Sequence, residues 1–230
     1  MTDYPAIDVT RKLGNEAFHV GNEPIGFSLL QFWQWAASDL TGNALRGLLA
    51  EFIVVAALDK ANGVRAEWDA FDVLSLKGRK VEVKSAAHVQ SWKQNGPSPI
   101  RFNIRPTQGW NAATNEYSLE AKRQADVYVF AVLAHTEQHS IDPLNLSQWV
   151  FYVLRSKKLN ELGSQKSIAL SRLRKLGPIE ASYEKLVEAI ESSNSRSLYL
   201  DLPFKRMVID YGSPKEKTKR PSWRSTTPNE

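Results

Sequence analysis

Apolar residues near the start of the chain recur with the period of a helix. This spacing predicts helices over residues 29–39 and 43–60, and Thr41 or Asn43 can cap the second one. The second helix has one continuous apolar face, formed by Leu45, Leu48, Leu49, Phe52, Ile53 and Ala56. Glu51 lies at the margin of that face. The first 26 residues show no clear period.

Beyond residue 70 the apolar period changes from that of a helix to that of a strand. Residues 70–76 and 80–86 predict two short strands, and the segment 77–79 supplies a glycine turn between them. In the second strand two valines face one side, whereas Glu82 and Lys84 project together from the other. The two strands are therefore predicted to form a hairpin with one polar face.

The remaining elements predict a layered α/β protein. Further strands are predicted over 100–105, 126–133 and 148–154, and further helices over 167–176 and 180–191. This order indicates one central mixed sheet flanked by helices. We expect a single domain over residues 1–211, with its core at about 43–154 and a helical part at about 156–192. Residues 212–230 are predicted to be a disordered basic tail.

Composition excludes several classes of protein. The chain of 230 residues has no cysteine, which excludes a disulfide scaffold, a zinc ribbon, an iron–sulfur site and a thiol nucleophile. Apolar runs such as Phe52 to Leu58 are far shorter than the ~20 residues of a membrane span. The amino terminus has no secretory signal. We therefore expect a cytoplasmic protein without membrane contact.

Basic charge is concentrated in one part of the chain. The formal net charge is +5, and the segment 212–230 contributes much of it with five basic residues and two acids. Residues 73–106 hold seven Lys or Arg and a single acid, Glu82. This pattern favours a nucleic acid as partner. The residues predicted to contact its phosphates are Lys77, Arg79, Lys93, Arg101 and Arg105.

The lone acid of that segment belongs to a group of residues suited to catalysis. A short hairpin can bring Asp72 of the first strand beside Glu82 of the second. Two adjacent carboxylates repel each other unless a cation lies between them, and Mg²⁺ prefers such oxygen ligands. Lys84, on the same face as Glu82, suits a reaction in which negative charge develops on a phosphate. It could also hold or deprotonate the attacking water.

These residues resemble the motif of a known nuclease superfamily. Asp72, nine further residues and then Glu82-Val83-Lys84 resemble the PD-(D/E)xK superfamily, although Phe71 replaces the proline of that motif. The resemblance covers residues 43–154 in the order of elements and 51–90 at the level of the motif. The chain looks most like uncharacterised bacterial restriction-endonuclease-like proteins. The implied fold is a restriction-endonuclease-like three-layer α/β fold with a central mixed sheet flanked by helices.

The resemblance also implies a metal site. By analogy with the superfamily, Asp72 and Glu82 would bind Mg²⁺ together with the backbone carbonyl of Val83. Glu51, on the helix before the hairpin, would hold a second metal ion or a metal-bound water. Mn²⁺ is expected to substitute for Mg²⁺.

The implied reaction is metal-dependent hydrolysis of a phosphodiester, which leaves a 5′-phosphate and a 3′-hydroxyl. Lys84 would activate the water and stabilise the transition state, and Gln90 would position Lys84 or a phosphate. DNA is the expected substrate in preference to RNA, in restriction, repair or defence. Cutting both strands usually requires two active sites, which would fit a homodimer.

Other interpretations of the sequence stay open. The chain could be a catalytically inactive module of the same fold that binds nucleic acid or a partner, or a subunit of a larger restriction or toxin assembly. The polar hairpin face could be merely solvated, and Asp69 replaces Asp72 if the hairpin register slips. Glu51 and Gln90 could be ordinary surface residues. Trp92 and Trp110 could stack on bases or pack near strand ends.

Overall fold

The computed structural model describes residue 4 and residues 7–67, 69–111 and 114–192. The predicted tail at 212–230 lies outside these residues. The helices are α1 (Leu29–Ala36), α2 (Asn43–Ala57), α3 (Ser156–Asn160), α4 (Leu170–Lys175) and α5 (Leu186–Ser192). The strands are β1 (Ala17–Val20), β2 (Glu23–Ser28), β3 (Val73–Leu74), β4 (Lys80–Ala87), β5 (Arg101–Asn103), β6 (Thr107–Asn111), β7 (Glu116–Lys122), β8 (Val127–Leu133), β9 (Trp149–Arg155), β10 (Ser167–Ala169) and β11 (Ile179–Ala181). No helix in the described part of the chain is long and apolar enough to cross a membrane.

A five-stranded mixed sheet forms the centre of the structure, in the order β11-β9-β8-β4-β3. The pairing of β4 with β8 is parallel, whereas the other three pairings are antiparallel. Every residue of β8 is buried, as expected for a central strand covered on both faces. The prediction of a mixed α/β protein with a central mixed sheet is therefore confirmed.

Strand alternation gives the sheet two different apolar faces. On one face, Val81 and Val83 of β4 pack in a cluster with residues of α2 and α5. On the other face, Tyr128 and Phe130 of β8 pack with Phe102 of β5 and with residues of β10, α3 and α4. Successive strand residues point to opposite faces, so Glu82 and Lys84 lie on the second face, between the valines of the first.

Several element boundaries differ from those predicted from the sequence. Helix α2 begins at Asn43, as predicted, but its N-cap is Gly42 and it ends at Ala57. Asp59 then takes a left-handed conformation with φ of 56°, which stops the helix before residue 60. The first hairpin strand, β3, is only two residues long, because regular pairing with β4 stops at the turn 75–79 on one side and at Asp72 on the other.

Part of the predicted carboxy-terminal helices is strand instead. Residues 167–169 pair with β5 and residues 179–181 pair with β9, so the helices begin only at Leu170 and Leu186. Pairing with an exposed sheet edge satisfies more backbone groups than one extra helical turn would. The hairpins β1–β2 and β6–β7 were also not predicted, although Tyr117, Leu119 and Ala121 alternate with polar residues along β7.

Candidate active site

Asp72 is fixed by the backbone of strand β4. Its N–H donates to the carbonyl oxygen of Val81 at 2.9 Å, and its side-chain Oδ2 accepts the N–H of Val83 at 2.6 Å. Strand β3 pairs with β4 only over two residues, so the Asp72 carboxylate takes the place of the next backbone acceptor. Within one strand residue, the N–H and the carbonyl point to the same edge. The carbonyl of Val83 therefore points to the edge where Asp72 lies.

Glu82 and Lys84 project together from the face of β4 opposite to the valines. Lys84 Nζ donates to Glu82 Oε1, and the two side chains form an ion pair. The Glu82 side chain is only 19% exposed. A merely solvated hairpin face does not fit this burial. The sequence was right to place these two charges together, and it placed Asp72 beside the same strand.

Glu51 of helix α2 is bound by an arginine that the sequence analysis did not single out. Arg65 Nε lies 2.8 Å from each carboxylate oxygen of Glu51. Glu51 also interacts electrostatically with Asp72 and Lys84, which places it beside the charges of the hairpin. A basic residue in the loop between α2 and β3 was the only signal in the sequence that could have indicated Arg65.

Burial raises the pKa of all three carboxyl groups. For Asp72 this effect is opposed by the Val83 N–H and by Lys84 and Arg65. For Glu82 burial acts together with the negative charges of Asp72 and Glu51, while Lys84 lowers the pKa. For Glu51 burial is opposed mainly by the hydrogen bond from Arg65. Asp72 and Glu82 thus lie in a partly dry site in which a further cation would relieve the repulsion between carboxylates.

The chemical types of the ligand atoms at this site suit a hard divalent cation. Asp72, Glu82 and the Val83 carbonyl offer oxygen ligands, and Mg²⁺ commonly takes one or two carboxylates and completes its shell with water and phosphate oxygens. In the described part of the chain, however, no three His, Asp or Glu side chains converge as a ready metal site. Glu51 faces Arg65 and Glu82 faces Lys84, so a cation would replace ion pairs that now exist.

Asp72 and Glu82 line a cleft of about 740 Å³, whereas Glu51 is not part of its lining. Its floor comes from β4 and β8, and its walls come from the segment after β5 and from the hairpin β6–β7. The lining includes Asp72, Glu82, Lys84, Asn103, Arg105, Trp110, Tyr117, Gln124 and Tyr128. Asp69 and Glu67 are exposed residues that also line it. A cleft of this size admits a nucleotide unit with part of its backbone.

Tyr128 is a further polar group in the cleft that the sequence analysis missed. It is the β8 residue directly paired with Glu82 of β4, and it is buried. Burial and the negative charge of Glu82 raise the pKa of its hydroxyl. The hydroxyl therefore stays protonated at neutral pH and can donate a hydrogen bond into the cleft. Its position in an otherwise apolar strand, two residues after Asp126, gave no sign of this role.

Gln90 is placed away from the cleft. Its Oε1 accepts a hydrogen bond from Arg46 Nη1 at 3.1 Å, and its Nε2 donates to the carbonyl of Ala87 at 2.9 Å. Arg46 of helix α2 is 3% exposed, and Gln90 is buried with it. The structure therefore brings Gln90 to α2 and the end of β4, not to Lys84. Its predicted role in positioning Lys84 or a phosphate stays a prediction.

Of the five predicted phosphate contacts, Arg105 alone lines this cleft. Arg79 donates to the carbonyls of Ile190 and Glu191, at 2.9 and 3.0 Å, and so holds the described end of α5. Arg101 Nη1 donates to Ser167 Oγ at 3.1 Å, beside the pairing of β5 with β10. Lys77 and Lys93 are exposed and lie outside the cleft lining.

The segment that forms this cleft matches the model of a known protein family. The family model described as bacteriophage T4 endonuclease IV matches residues 27–172, which is well over half of the chain. The matched segment contains Asp72, Glu82 and Lys84 and every residue that lines the cleft. Searches of curated proteins and of solved structures gave no match. The chain therefore belongs to the family of bacteriophage T4 endonuclease IV.

Proposed function

We propose that this protein is a metal-dependent endonuclease that cuts DNA at the cleft around Asp72, Glu82 and Lys84. One observation carries the proposal: these three residues meet in a partly dry cleft within the segment matched by an endonuclease family. Their arrangement on a hairpin strand after helix α2 supports a site of PD-(D/E)xK type on a restriction-endonuclease-like fold.

The proposed metal is Mg²⁺, held by Asp72, Glu82 and the carbonyl of Val83, with Glu51 available for a second ion or its water. When bound, the metal supplies positive charge to a phosphoryl oxygen and makes a bound water more acidic. Lys84 now neutralises Glu82. With Glu82 bound to a cation, the Lys84 ammonium would be available to bind the attacking water or a phosphoryl oxygen.

The proposed reaction is a hydrolysis. Water attacks phosphorus, the bond to the 3′-oxygen breaks, and that oxygen takes a proton, which gives a 5′-phosphate and a 3′-hydroxyl. Tyr128 can donate a hydrogen bond to the phosphate, because its hydroxyl stays protonated. Arg105 lies on the cleft wall and can bind a neighbouring phosphate. Trp110 and Tyr117 offer aromatic faces for a base.

The test is a cleavage assay with the full chain on supercoiled, linear, branched and single-stranded DNA and on RNA. Each substrate is incubated with Mg²⁺, Mn²⁺ or EDTA. Glu82→Gln is the site variant, and Glu188→Gln on the exposed surface of α5 makes the same chemical change outside the cleft. We expect Mg²⁺- or Mn²⁺-dependent cutting that Glu82→Gln lowers by at least about a hundredfold and Glu188→Gln leaves intact. Labelling of the product ends checks for 5′-phosphates.

Two results would contradict this proposal. Cutting that persists in EDTA would exclude metal dependence, and equal cutting by Glu82→Gln would exclude this site. If nothing is cut but DNA is bound, the inactive binding module is favoured instead. If cutting appears only after a cellular partner is added, the chain is a subunit of a larger assembly.

A further inference from the structure

A second cleft adjoins the proposed active site. It has a volume of about 690 Å³, and Gln124 lines both clefts. It lies where β4 and β8 begin and β9 ends, and Asp126 is the one acidic residue in its lining. Its basic lining residues are Arg79, Lys80, Lys122, Arg123, Arg155 and Lys157. We refer to this cleft as the basic groove.

Part of the positive charge in the basic groove is bound by the protein itself. Arg123 donates to the carbonyls of Ile104, Gly163 and Gln165, at 2.9 to 3.1 Å. The carboxylate of Asp126 also has a partner within the protein, since it accepts a hydrogen bond from the backbone N–H of Lys80 at 2.9 Å. These bonds fix the walls of the groove but leave little negative charge to neutralise it.

Three other cations of the groove have no such partner. Among the described residues, Lys122, Arg155 and Lys157 form no ion pair and donate no side-chain hydrogen bond. A surface cation without a partner is ordinary, but three in one concave groove create a local positive potential. A flexible polyanion satisfies such a groove better than a single small anion, because the three cations come from two separate segments of chain, at residue 122 and at residues 155–157.

The groove begins close to the proposed site of cleavage. Lys80 and Glu82 lie on the same face of β4, two residues apart, which corresponds to about 7 Å along the strand. A nucleic acid strand with its reacting phosphate beside Glu82 therefore meets the groove with its next phosphates. No acidic residue other than Asp126 lies in the lining of the groove.

We infer that the basic groove binds the sugar–phosphate backbone of the substrate beyond the cleaved bond, through Lys122, Arg155 and Lys157. The inference rests on the proposed function. Such contacts add affinity and salt dependence without reading sequence and without taking part in the chemistry. Substrates that extend past the site by several nucleotides are therefore bound more tightly than substrates that end at it.

The test measures binding separately from cleavage. Lys122→Gln, Arg155→Gln and Lys157→Gln are combined in the full chain, in a Glu82→Gln background in EDTA. A matched control combines Lys60→Gln, Lys158→Gln and Lys185→Gln, which neutralise three exposed lysines outside both clefts. Fluorescence anisotropy then follows DNA of about 30 and about 6 nucleotides over a range of salt concentrations.

We expect the groove variant to bind the long DNA roughly tenfold or more weakly at 0.1 M salt, with a salt slope smaller by about 2 to 3. The short DNA and the control variant are expected to change little. With Glu82 restored, the groove variant should raise KM and leave kcat unchanged. Equal binding by groove and control variants overturns the inference. If the groove variant loses DNA binding but the parent protein cuts no substrate, the proposed function is overturned and the inference about the groove is not.

A different observation concerns the amino-terminal part of the chain. Strands β1 and β2 and helix α1 carry large apolar side chains that are exposed, and none of the eight residues of α1 is buried. Trp35 is 84% exposed. We refer to the following residues as the amino-terminal apolar face: Phe18, Val20, Ile25, Phe27, Leu30, Phe32, Trp33 and Trp35.

The composition and area of this face suit a stable protein interface. No charged residue occurs between Glu23 and Asp39, and the cores of interfaces are likewise rich in aromatic and poor in charged residues. Its five aromatic side chains are about half exposed, which amounts to roughly 500 Å². The three aliphatic side chains bring the area towards the ~800 Å² that each partner of a standard interface buries.

We propose that a second copy of this chain covers the amino-terminal apolar face, so that the protein is a homodimer. A two-fold axis places the same face on both partners, and a face without charge has nothing that repels its own copy. Within the chain, α1 is held by backbone bonds from Leu29 to Glu16 and from Leu30 to Gly14, and these leave its large apolar side chains exposed.

Analytical ultracentrifugation of the full chain tests the dimer. Trp35→Glu introduces a charge at a side chain that is exposed in the single chain, so it should not unfold it. Leu144→Glu, at a side chain 65% exposed on another surface, is the matched control. We expect dimers for the parent and the Leu144 variant and monomers for the Trp35 variant, with unchanged circular dichroism. A monomeric parent at tens of micromolar, or a dimeric Trp35 variant, overturns this proposal.

Discussion

Replacing Asp72 by either Ala or Asn separates two tasks of its carboxylate. One oxygen accepts the N–H of Val83, and the charge as a whole belongs to the proposed metal site. Ala removes both the acceptor and the charge, whereas Asn keeps an oxygen acceptor of the same size. We therefore expect both variants to lose cleavage, but only the Ala variant to lose stability.

The size of the stability loss follows from the burial of the strand. Val83 is 8% exposed, so without Asp72 its N–H is left without an acceptor in a dry environment. An unsatisfied buried donor costs about 1–3 kcal/mol. For a domain of this size that cost corresponds to a melting temperature lower by about 2–10 °C. Since burial raises the pKa of Asp72, the neutral Asn should be at least as stable as the metal-free parent at pH 7.

The assay combines thermal melts in EDTA with cleavage in Mg²⁺. Asp69→Asn and Asp69→Ala provide the control, because Asp69 lines the same cleft but is exposed. Both Asp69 variants should melt and cleave like the parent. Equal melting of the two Asp72 variants would refute the role assigned to the Val83 hydrogen bond. Loss of cleavage in the Asp69 variants, with activity retained in the Asp72 variants, would refute the site.

Three further predictions concern Glu82, the Arg65–Glu51 ion pair and the buried Arg46–Gln90 hydrogen bond. Burial raises the folded-state pKa of Glu82 above its ordinary value of 4.5. The metal-free parent should therefore lose stability relative to Glu82→Gln as pH rises from about 4.5 to 7. Melting temperatures of the two proteins that change in parallel with pH would contradict this. Arg65→Ala should lower the free energy of unfolding by about 1 kcal/mol, and by much less in a protein that already carries Glu51→Gln. Additive effects of the two substitutions in this double-mutant cycle would show that the side chains are not coupled. Gln90→Ala should lower the unfolding free energy by about 1–2 kcal/mol, because buried Arg46 loses a hydrogen-bond acceptor. It should change kcat less than tenfold. Unchanged stability with a larger loss of kcat would support a catalytic role of Gln90.

The parts of the fold and site that the sequence predicted depend on short-range patterns. Glu82 and Lys84 share a face because strand geometry alone places residues two apart on one side. Helix α2 was found because its apolar residues keep a helical period over fifteen residues, and β8 because an apolar run of that length fits a buried strand. Such signals need no knowledge of the rest of the chain.

The parts that were missed depend on contacts between distant segments. Arg65 binds Glu51 across 14 residues, and Gln90 binds Arg46 across 44 residues, so neither partner can be read from local spacing. Residues 167–169 became a strand because β5 offers them an edge, which outweighs their local helical pattern. The basic groove unites cations from β4, β7 and the end of β9, which are separated by up to 75 residues of sequence.

The placement of Glu82 and Lys84 has a consequence for the history and engineering of this protein. The two charges interrupt the face of the sheet on which Tyr128 and Phe130 pack, where apolar side chains would fill the layer at less cost. Natural selection that acted on stability alone would therefore remove these charges early. A laboratory screen for heat resistance meets the same conflict, and should be paired at each round with a screen for activity.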